Sequence, residues 1–357
     1  MRILFVRHTS LGRVGGGAPH HFPLNLGQSG HQVTVMARTG GDGGALTRAG
    51  IRVIEVSRKE SWLSSLRKSA RFVRPDIVHV FLHRGCGLYP FALRTGSRPR
   101  FVLDIRSPLL RTGPLGYLRR LLNRLETVGY DAVSTHGIES GRTVIGNGRD
   151  MVWVPPGVDL SALPVRCERR AGTGPMRLVY IGSLDRKRRI EEMVAAVSLA
   201  ADDISLSLDI YGGGDGKERI RRMVEERGMA QTIRLLGAVP HTQLFERLSA
   251  CDIGLAYVPR ALYDTALPLK TLEYMACGLP VLGTDTVGNR MVVQARVNGL
   301  LVDDDAESFA KGIRELAQAP WLSGASENAR RSVEPYDWAR IVSEKLMPLY
   351  QGVLVKG

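Results

Sequence analysis

Glycine-rich and cationic segments follow several short apolar runs of this sequence, and both residue types suit the binding of phosphate groups. Three glycines ending in Gly16 and Gly17 follow the first run, Gly182 follows a later one, and Gly213 lies behind a third. The cations after Gly182 are Arg186, Lys187, Arg188 and Arg189. Glycine leaves backbone N–H groups open to a ligand, and cations form charge-assisted hydrogen bonds with a diphosphate. Structural turns and a solvated basic surface are the alternative explanations.

The segment around Glu273 predicts a helix that begins after Pro268 and ends at Gly278. Thr271 and Leu272 fall in its first turn, where we expect free amides. A carboxylate at Glu273 can accept two hydrogen bonds from a ribose diol, as the acidic residue of dinucleotide sites does. The same carboxylate would also complement the helix dipole without any ligand. The spacing alone leaves both interpretations open.

The elements that position these residues follow from the apolar runs, which are short, β-branched and evenly spaced. Continuous apolar runs are typical of strands buried on both faces, and their alternation with helix-period segments predicts parallel, doubly wound sheets. The series begins twice, on either side of a charged, glycine-rich stretch at 168–175. We therefore predict an α/β protein with two Rossmann-like domains that face a cleft. The domains are 1–168, joined by analogy with such folds by a returning helix at 337–357, and 172–336.

Charge is divided unevenly along the chain, which carries a formal net charge of +14. Residues 1–170 hold 26 lysines and arginines against 11 aspartates and glutamates, whereas the rest holds 23 against 24. This asymmetry indicates an anionic partner of the N-terminal half, unless an arginine-rich composition explains it. Segments 62–74 and 118–125 combine an apolar helical stripe with arginines, a pattern that suits an anionic membrane surface but also packing on the protein's own sheet.

The compartment is predicted from what the sequence lacks. No apolar run approaches the roughly 20 residues of a membrane span, and the apolar stretch at the N-terminus is too short for a signal peptide. The cysteines are far apart and form no CxxC pair, so free buried thiols are expected. We therefore expect a cytoplasmic protein, and the two basic amphipathic segments predict that it lies peripherally on the inner membrane face.

These motifs together resemble the retaining glycosyltransferases of family 4, which have the GT-B fold, along nearly the whole chain. The matching segments are Gly15–Gly16, Gly30–Val35, Val154–Asp159, Tyr180–Leu184, Leu267–Val281, Val297–Val302 and Tyr336–Trp338. The segment Leu267–Val281 is the most specific of them. Three positions depart from the family pattern: Thr265 and Ser183 stand where the family often has a glutamate and an arginine, and Arg106 stands where it often has a histidine.

The resemblance implies a role for individual residues. Glu273 would bind the ribose hydroxyls, and the Thr271 and Leu272 amides would contact the diphosphate. Arg188 falls where the family has a diphosphate-binding lysine. The expected catalytic residues are Arg106, Arg188 and Glu273, and the expected donor-binding residues are Gly16, Gly17, Gly182, Arg186, Lys187, Gly213, Val239, Thr265, Lys270, Thr271 and Leu272.

The expected reaction is sugar transfer with retention from a nucleoside diphosphate sugar, bound as a substrate, to a glycan or lipid-linked acceptor, with no cofactor and no metal. A sugar-nucleotide epimerase is an alternative because it can share the architecture. A nucleic-acid-binding protein is a second alternative, motivated by the basic charge, but no binding module or interleaved aromatic platform supports it. We therefore expect no nucleic-acid partner.

Overall fold

The computed structural model describes residues 1–11, 17–41, 43–93, 99–106, 113–163 and 174–355. The chain divides into two compact units. The first unit comprises Met1–Gly157 with Tyr336–Gly357, and the second comprises Val158–Pro335. Each unit contains one parallel sheet with helices, which confirms the predicted α/β class.

The two sheets are parallel throughout their described strands. The first has the order β3-β2-β1-β4-β5-β6-β7 and the second the order β10-β9-β8-β11-β12-β13. Strands of the first are β1 Arg2–Ser10, β2 Gln32–Arg38, β3 Arg52–Val56, β4 Ile77–Phe81, β5 Arg100–Ile105, β6 Ala132–Thr135 and β7 Val152–Trp153. Strands of the second are β8 Met176–Ile181, β9 Leu206–Tyr211, β10 Ile233–Gly237, β11 Ile253–Ala256, β12 Val281–Thr284 and β13 Gly299–Val302.

Strand order reverses direction once in each sheet, between β1 and β4 in the first and between β8 and β11 in the second. At such a switch point the connections leave toward opposite faces, and a crevice opens beyond the carboxyl ends of the strands. Each unit therefore offers one natural ligand position. Every residue of β4 is buried, as expected for a strand covered on both faces.

Helices connect the strands in both units. In the first unit they are α1 Ala18–Gln28, α2 Gly44–Arg48, α3 Trp62–Val73, α4 Tyr89–Leu93, α5 Gly113–Leu125 and α6 Ile138–Ile145. In the second they are α7 Ile190–Ala201, α8 Lys217–Glu226, α9 His241–Ser249, α10 Arg260–Tyr263, α11 Leu269–Ala276, α12 Val287–Arg290, α13 Ala306–Ala317 and α14 Leu322–Ser332. The chain ends with α15 Trp338–Ile341, a π-helical segment Val342–Leu346 and α16 Met347–Val355.

The C-terminal helices pack into the core of the first unit, as the returning helix was predicted to do. Trp338, Ile341 and Tyr350 are buried there among side chains of β1, β4 and α1. The Tyr350 hydroxyl lies 2.8 Å from Nδ1 of His79 on β4. These contacts explain why a segment that follows the second unit in sequence belongs to the first in space.

The division between the units falls earlier than the predicted boundary at 168–172. Leu163 is buried, and Nη2 of Arg330 donates to the Leu160 carbonyl at 2.8 Å, so Val158–Leu163 is fastened to the second unit. Most of the predicted linker lies outside the described residues. No helix in the described part of the chain is long and apolar enough to cross a membrane. The three cysteines that the structure describes are buried free thiols, as predicted, and Cys167 lies outside the described ranges.

Candidate functional site

Two glycine-containing loops in the second unit, which follow β8 and β9, are hydrogen-bonded to each other. The Leu184 amide donates to the Gly213 carbonyl, and the Gly216 amide donates to the Leu184 carbonyl, both at 2.9 Å. A Cβ at Gly212 would lie 1.8 Å from the Gly182 carbonyl oxygen. Glycine is therefore required at position 212 because the two loops approach each other closely. This requirement comes from the turn itself and not from a ligand. Nothing described lies within 4 Å of a Cβ at Gly213, so this position faces open space.

The cationic stretch after β8 forms a 3-10 turn in which one guanidinium packs against the protein. Arg186 and Lys187 are exposed, whereas Cζ of Arg188 lies 4.1 Å from the centre of the Tyr263 ring. Nε of Arg188 is buried and has no hydrogen-bond partner among the described residues. Arg189 forms an ion pair with Glu192 at 2.7 Å. Arg188 is thus the cation of this turn that is held in a defined place, with donor capacity to spare.

Lys270, in the first turn of α11, is buried beside this turn. Its Nζ lies 3.8 Å from the centre of the Tyr180 ring and 3.5 Å from the Tyr257 carbonyl oxygen. Burial lowers the pKa of Lys270 well below its usual value, and the positive charge of Arg188 lowers it further. A Cβ at Gly182 would lie 3.2 Å from Nζ. A bound anion would raise this pKa again, so the ammonium is suited to a phosphate ligand.

Helix α11 is fastened to the sheet by its own side chains. The Tyr274 hydroxyl accepts a hydrogen bond from the Ile181 amide at 2.7 Å, and the Thr271 hydroxyl donates to Oδ1 of Asn289 at 2.8 Å. Gly278, in the left-handed region with φ of 75°, ends the helix as predicted. The first turn of the helix is thereby held at the carboxyl ends of the strands.

One expectation about this helix was wrong. The Thr271 amide is not free, because it donates to the Pro268 carbonyl oxygen at 3.0 Å in a tightened first turn. Its hydroxyl is also engaged by Asn289. Thr271 therefore serves to hold α11 in place.

The remaining predicted donor-binding residues lie on α11, between α10 and α11, and beyond β10. Glu273 is half-buried on α11, and the side chain of Leu272 is fully buried. Thr265 is half-buried between α10 and α11, and Val239 is half-buried two residues beyond β10. The charges of Arg188 and Glu273 both act on the Lys270 ammonium, with opposite effects on its pKa. These two predicted catalytic residues are therefore brought to one region.

Arg106, the third predicted catalytic residue, lies in the first unit and is already paired. Its Nε lies 2.6 Å from Oδ2 of Asp104, and its Nη1 donates to the Val154 carbonyl at 2.8 Å. Burial alone would raise the pKa of Asp104, but the charge of Arg106, together with the adjacent His79 ring, outweighs it and holds that pKa below its usual range. Arg106 therefore neutralises a buried carboxylate. Any catalytic part for it stays a prediction.

The glycine loop after β1 is described only at its end. Gly17 precedes α1 with φ of 58°, in the left-handed region that favours glycine, and Gly16 lies outside the described residues. The sequence interpretation missed the buried network of His79, Asp104 and Tyr350. A charged residue inside the apolar run of β5 was the signal for Asp104, because a buried carboxylate requires partners.

Comparison with known proteins gives a family match that falls on the second unit. A sequence model of the family described as Glycosyl transferases group 1 matches residues 168–332. The second unit belongs to the glycosyl transferases group 1 family. The group 1 match contains Arg188, Lys270 and Glu273, so the three residues lie in the part of the chain that defines the family.

Relatives and solved structures extend the likeness to the whole chain. The D-inositol 3-phosphate glycosyltransferase of Corynebacterium jeikeium is 31% identical over 236 residues, which cover 62% of this chain and 53% of that protein. The chain thus spans about half the length of the first curated relatives. Sucrose-phosphate synthase from Thermosynechococcus elongatus superposes with a TM-score of 0.78 at 19% identity over 99% of both chains. The Anabaena protein Alr3699/HepE in complex with UDP superposes with a TM-score of 0.77 at 14% identity, over 98% of this chain and 100% of that one. The fold of this chain is therefore GT-B.

Proposed function

We propose that this protein transfers a sugar from a nucleoside diphosphate sugar to an acceptor hydroxyl, with retention at the anomeric carbon. The observation that carries the proposal is the grouping of Arg188, Lys270 and Glu273 around the first turn of α11, within the group 1 match. The superposed Anabaena protein is solved with UDP, which supports a nucleoside diphosphate as part of the donor. In this proposal Glu273 accepts hydrogen bonds from the ribose, and the two cations hold the diphosphate.

Charge stabilisation is the chemical work of the two cations. The bond from the anomeric carbon to the diphosphate breaks, a bond to the acceptor oxygen forms, and the hydroxyl proton of the acceptor is released. Negative charge grows on the departing diphosphate while its bond to the anomeric carbon breaks. Arg188 and Lys270 are held by the rings of Tyr263 and Tyr180, so they meet this charge with little reorganisation. The N-terminal end of α11 adds its partial positive charge.

Replacing Glu273 with glutamine tests the donor site. Glutamine keeps the size of the side chain but removes the charge that strengthens its hydrogen bonds, so we expect UDP to bind about tenfold more weakly. Calorimetric titration with UDP measures the effect. Glu226→Gln, an exposed change on α8, is the matched control and should leave UDP affinity unchanged. Equal UDP affinity in Glu273→Gln and in the unaltered protein would show that Glu273 does not bind the nucleotide.

Sugar-nucleotide epimerisation is distinguished from transfer by leaving out the acceptor. An epimerase converts the sugar of the donor when the donor is present alone, whereas a transferase releases nucleoside diphosphate in step with the glycosylated acceptor. Incubation of the unaltered protein with UDP-glucose, followed by product analysis with and without a mixture of acceptors, separates the two. An isomerised nucleotide sugar formed from donor alone would favour epimerisation.

We also propose that the first unit docks on an anionic membrane through α5. Six apolar side chains of this helix are between 44% and 69% exposed, namely Leu115, Tyr117, Leu118, Leu121, Leu122 and Leu125. Arg119, Arg120 and Arg124 lie on the same helix, and their charge complements an acidic lipid surface. On α3, by contrast, Trp62 and Leu66 are buried. Helix α3 therefore packs on the protein's own sheet. Helix α5 keeps an exposed apolar surface, which we propose contacts lipid. The exposed apolar side chains of α5 and the free thiols of the described cysteines support the proposal of a cytoplasmic protein at the inner membrane face.

Vesicle flotation tests the α5 surface. We expect Leu118→Ser and Leu122→Ser each to weaken binding to vesicles of phosphatidylglycerol about tenfold, because each removes most of a leucine's transfer free energy. Leu199→Ser, a change at a similarly exposed leucine of the second unit, should have no effect. Equal flotation with phosphatidylglycerol and phosphatidylcholine, or equal flotation of all three variants, would contradict the proposal.

A further inference from the structure

A cavity of about 330 Å³ lies in the first unit, and every described residue that lines it belongs to that unit. Residues from the ends of β1, β4 and β5 form its floor, so it occupies the switch point of the first sheet. Residues of α5 and α6 complete its wall. Its size falls within the range of small-molecule sites. The cavity is therefore placed and shaped for a ligand.

Positive charge dominates the lining of this cavity. Four arginines contribute to it, namely Arg7, Arg84, Arg106 and Arg119. Its one carboxylate among the described lining residues, Asp104, is fully buried and already bound to Arg106 at 2.6 Å. Arg106 and Asp104 thus neutralise each other. The charges of the other three arginines are not neutralised by any carboxylate among the described lining residues.

Those three arginines have no carboxylate partner among the described residues. Arg7 is half-buried and donates from Nε to the Thr9 hydroxyl at 2.7 Å, while Arg84 and Arg119 are exposed. Burial lowers the pKa of Arg7, since no anion compensates the loss of water. Glu126, in the loop after α5, is occupied by the amides of Gly85 and Gly87 at 2.6 Å. The arginines therefore retain their capacity for an external anion.

The histidines of the cavity add no charge near neutral pH. Nδ1 of His83 donates to the Phe81 carbonyl at 2.8 Å, so its Nε2 accepts from the Tyr89 hydroxyl at 2.6 Å. Burial lowers the pKa of His83 to about 4. The His8 ring stacks on that of His83, with the ring centres 4.8 Å apart. The positive charge of the cavity is thus that of its arginines.

We propose that this cavity binds a phosphate group of the acceptor through Arg7, Arg84 and Arg119. Guanidinium groups form paired hydrogen bonds with phosphate oxygens, and three of them around one small cavity favour a multiply charged group over a carboxylate. The inference rests on the proposed function, since it names the acceptor class of that reaction. The acceptor is then a phosphorylated polyol in solution or the phosphorylated headgroup of a lipid.

The test uses the full chain saturated with UDP, so that the phosphate positions of the donor site are filled. Inorganic phosphate is titrated at constant ionic strength with chloride as the balancing anion. We expect saturable phosphate binding that weakens about tenfold in Arg84→Gln and in Arg119→Gln. Arg58→Gln, an exposed change in the same unit outside the cavity, should leave phosphate binding unchanged. Both test positions are exposed, so a folding defect in one variant leaves the other as the test.

Two further titrations identify the source of the phosphate. Inositol 1-phosphate against inositol probes a soluble acceptor, and vesicles of phosphatidylinositol, titrated with the unaltered protein and with Arg84→Gln, probe a lipid without changing α5. Phosphate binding no stronger than chloride binding, or equal weakening in Arg58→Gln, would overturn the inference. Failure of UDP to bind would instead count against the proposed function, so the two failures are distinguishable.

Discussion

Replacing Arg188 with glutamine is expected to lower kcat/KM for the donor by about 100-fold to 1000-fold. That is the loss seen when one pre-positioned donor to a developing negative charge is removed. Arg188 is the cation after β8 that stacks on Tyr263, with Nε buried and unpartnered among the described residues. Its charge lowers the pKa of Lys270, so its removal lets Lys270 be protonated more readily but leaves it as the single remaining cation of the pair. Steady-state kinetics with varied donor measures the loss.

The control for Arg188 is a charge-matched change elsewhere in the second unit. Arg222→Gln alters an exposed arginine on α8 and should retain the kinetics of the unaltered protein. Arg188→Lys should recover part of the activity, since a lysine supplies charge without the planar fork of the guanidinium. Arg188→Gln with donor kinetics like those of Arg222→Gln would show that the turn after β8 has no part in the diphosphate site.

Replacing Lys270 with methionine is expected to raise the stability of the protein and to lower its affinity for the donor. Methionine fills a similar volume without a buried charge, so we expect the free energy of unfolding to rise by about 0.5–2 kcal/mol. Donor affinity should fall about tenfold to 100-fold, because the ammonium beside Gly182 no longer meets the diphosphate. Urea unfolding and UDP titration give the two values. Lys311→Met, an exposed change on α13, should alter neither.

The pH dependence of that stabilisation follows from the lowered pKa of Lys270. In the unfolded chain this lysine keeps its usual pKa of 10.5, whereas its pKa in the folded protein is lower. Below pH 10.5 the unfolded chain therefore binds a proton at this lysine more strongly than the folded protein does, which favours unfolding. The advantage of Lys270→Met is therefore greatest at low pH and shrinks as the pH rises toward 10.5, where the unfolded lysine also becomes neutral. An advantage independent of pH between 6 and 10 in about 0.1 M salt would indicate a packing effect rather than a buried charge.

Much of the fold could be predicted because the pattern of apolar residues is local. Helix α7 spans the predicted 190–201, and the apolar runs in both halves became parallel strands. Strand β6 was missed, since Ala132–Thr135 has four residues and only one of them is a large apolar residue. A strand so short is defined by its neighbours β5 and β7, which pair with it on both sides. Its existence is therefore a property of the sheet.

The candidate site was predicted in part for the same reason. Positions that follow strands are visible in the sequence, and Arg188 was found in this way, whereas Lys270 and Glu273 belong to the helix that was predicted after Pro268. The engagement of the Thr271 amide by Pro268 was not foreseen, because the first turn of a helix can tighten without any change in residue pattern. Nor was the arginine cavity of the first unit foreseen, because its lining comes from six separate segments.

By itself the sequence determined the two doubly wound sheets, the glycine and cation positions behind their strands, and the basic character of the N-terminal half. Only the tertiary structure decided which charged side chains are paired with a neighbouring group and which apolar faces are buried. Helices α3 and α5 have the same basic amphipathic pattern, yet the apolar side of α3 is buried and that of α5 is exposed. Arg106 and Arg188 both follow strands, yet one is bound to Asp104 and the other stacks on Tyr263 with a spare donor. The reason is physical: periodicity depends on neighbours along the chain, whereas burial and ion pairing depend on residues that only folding brings together.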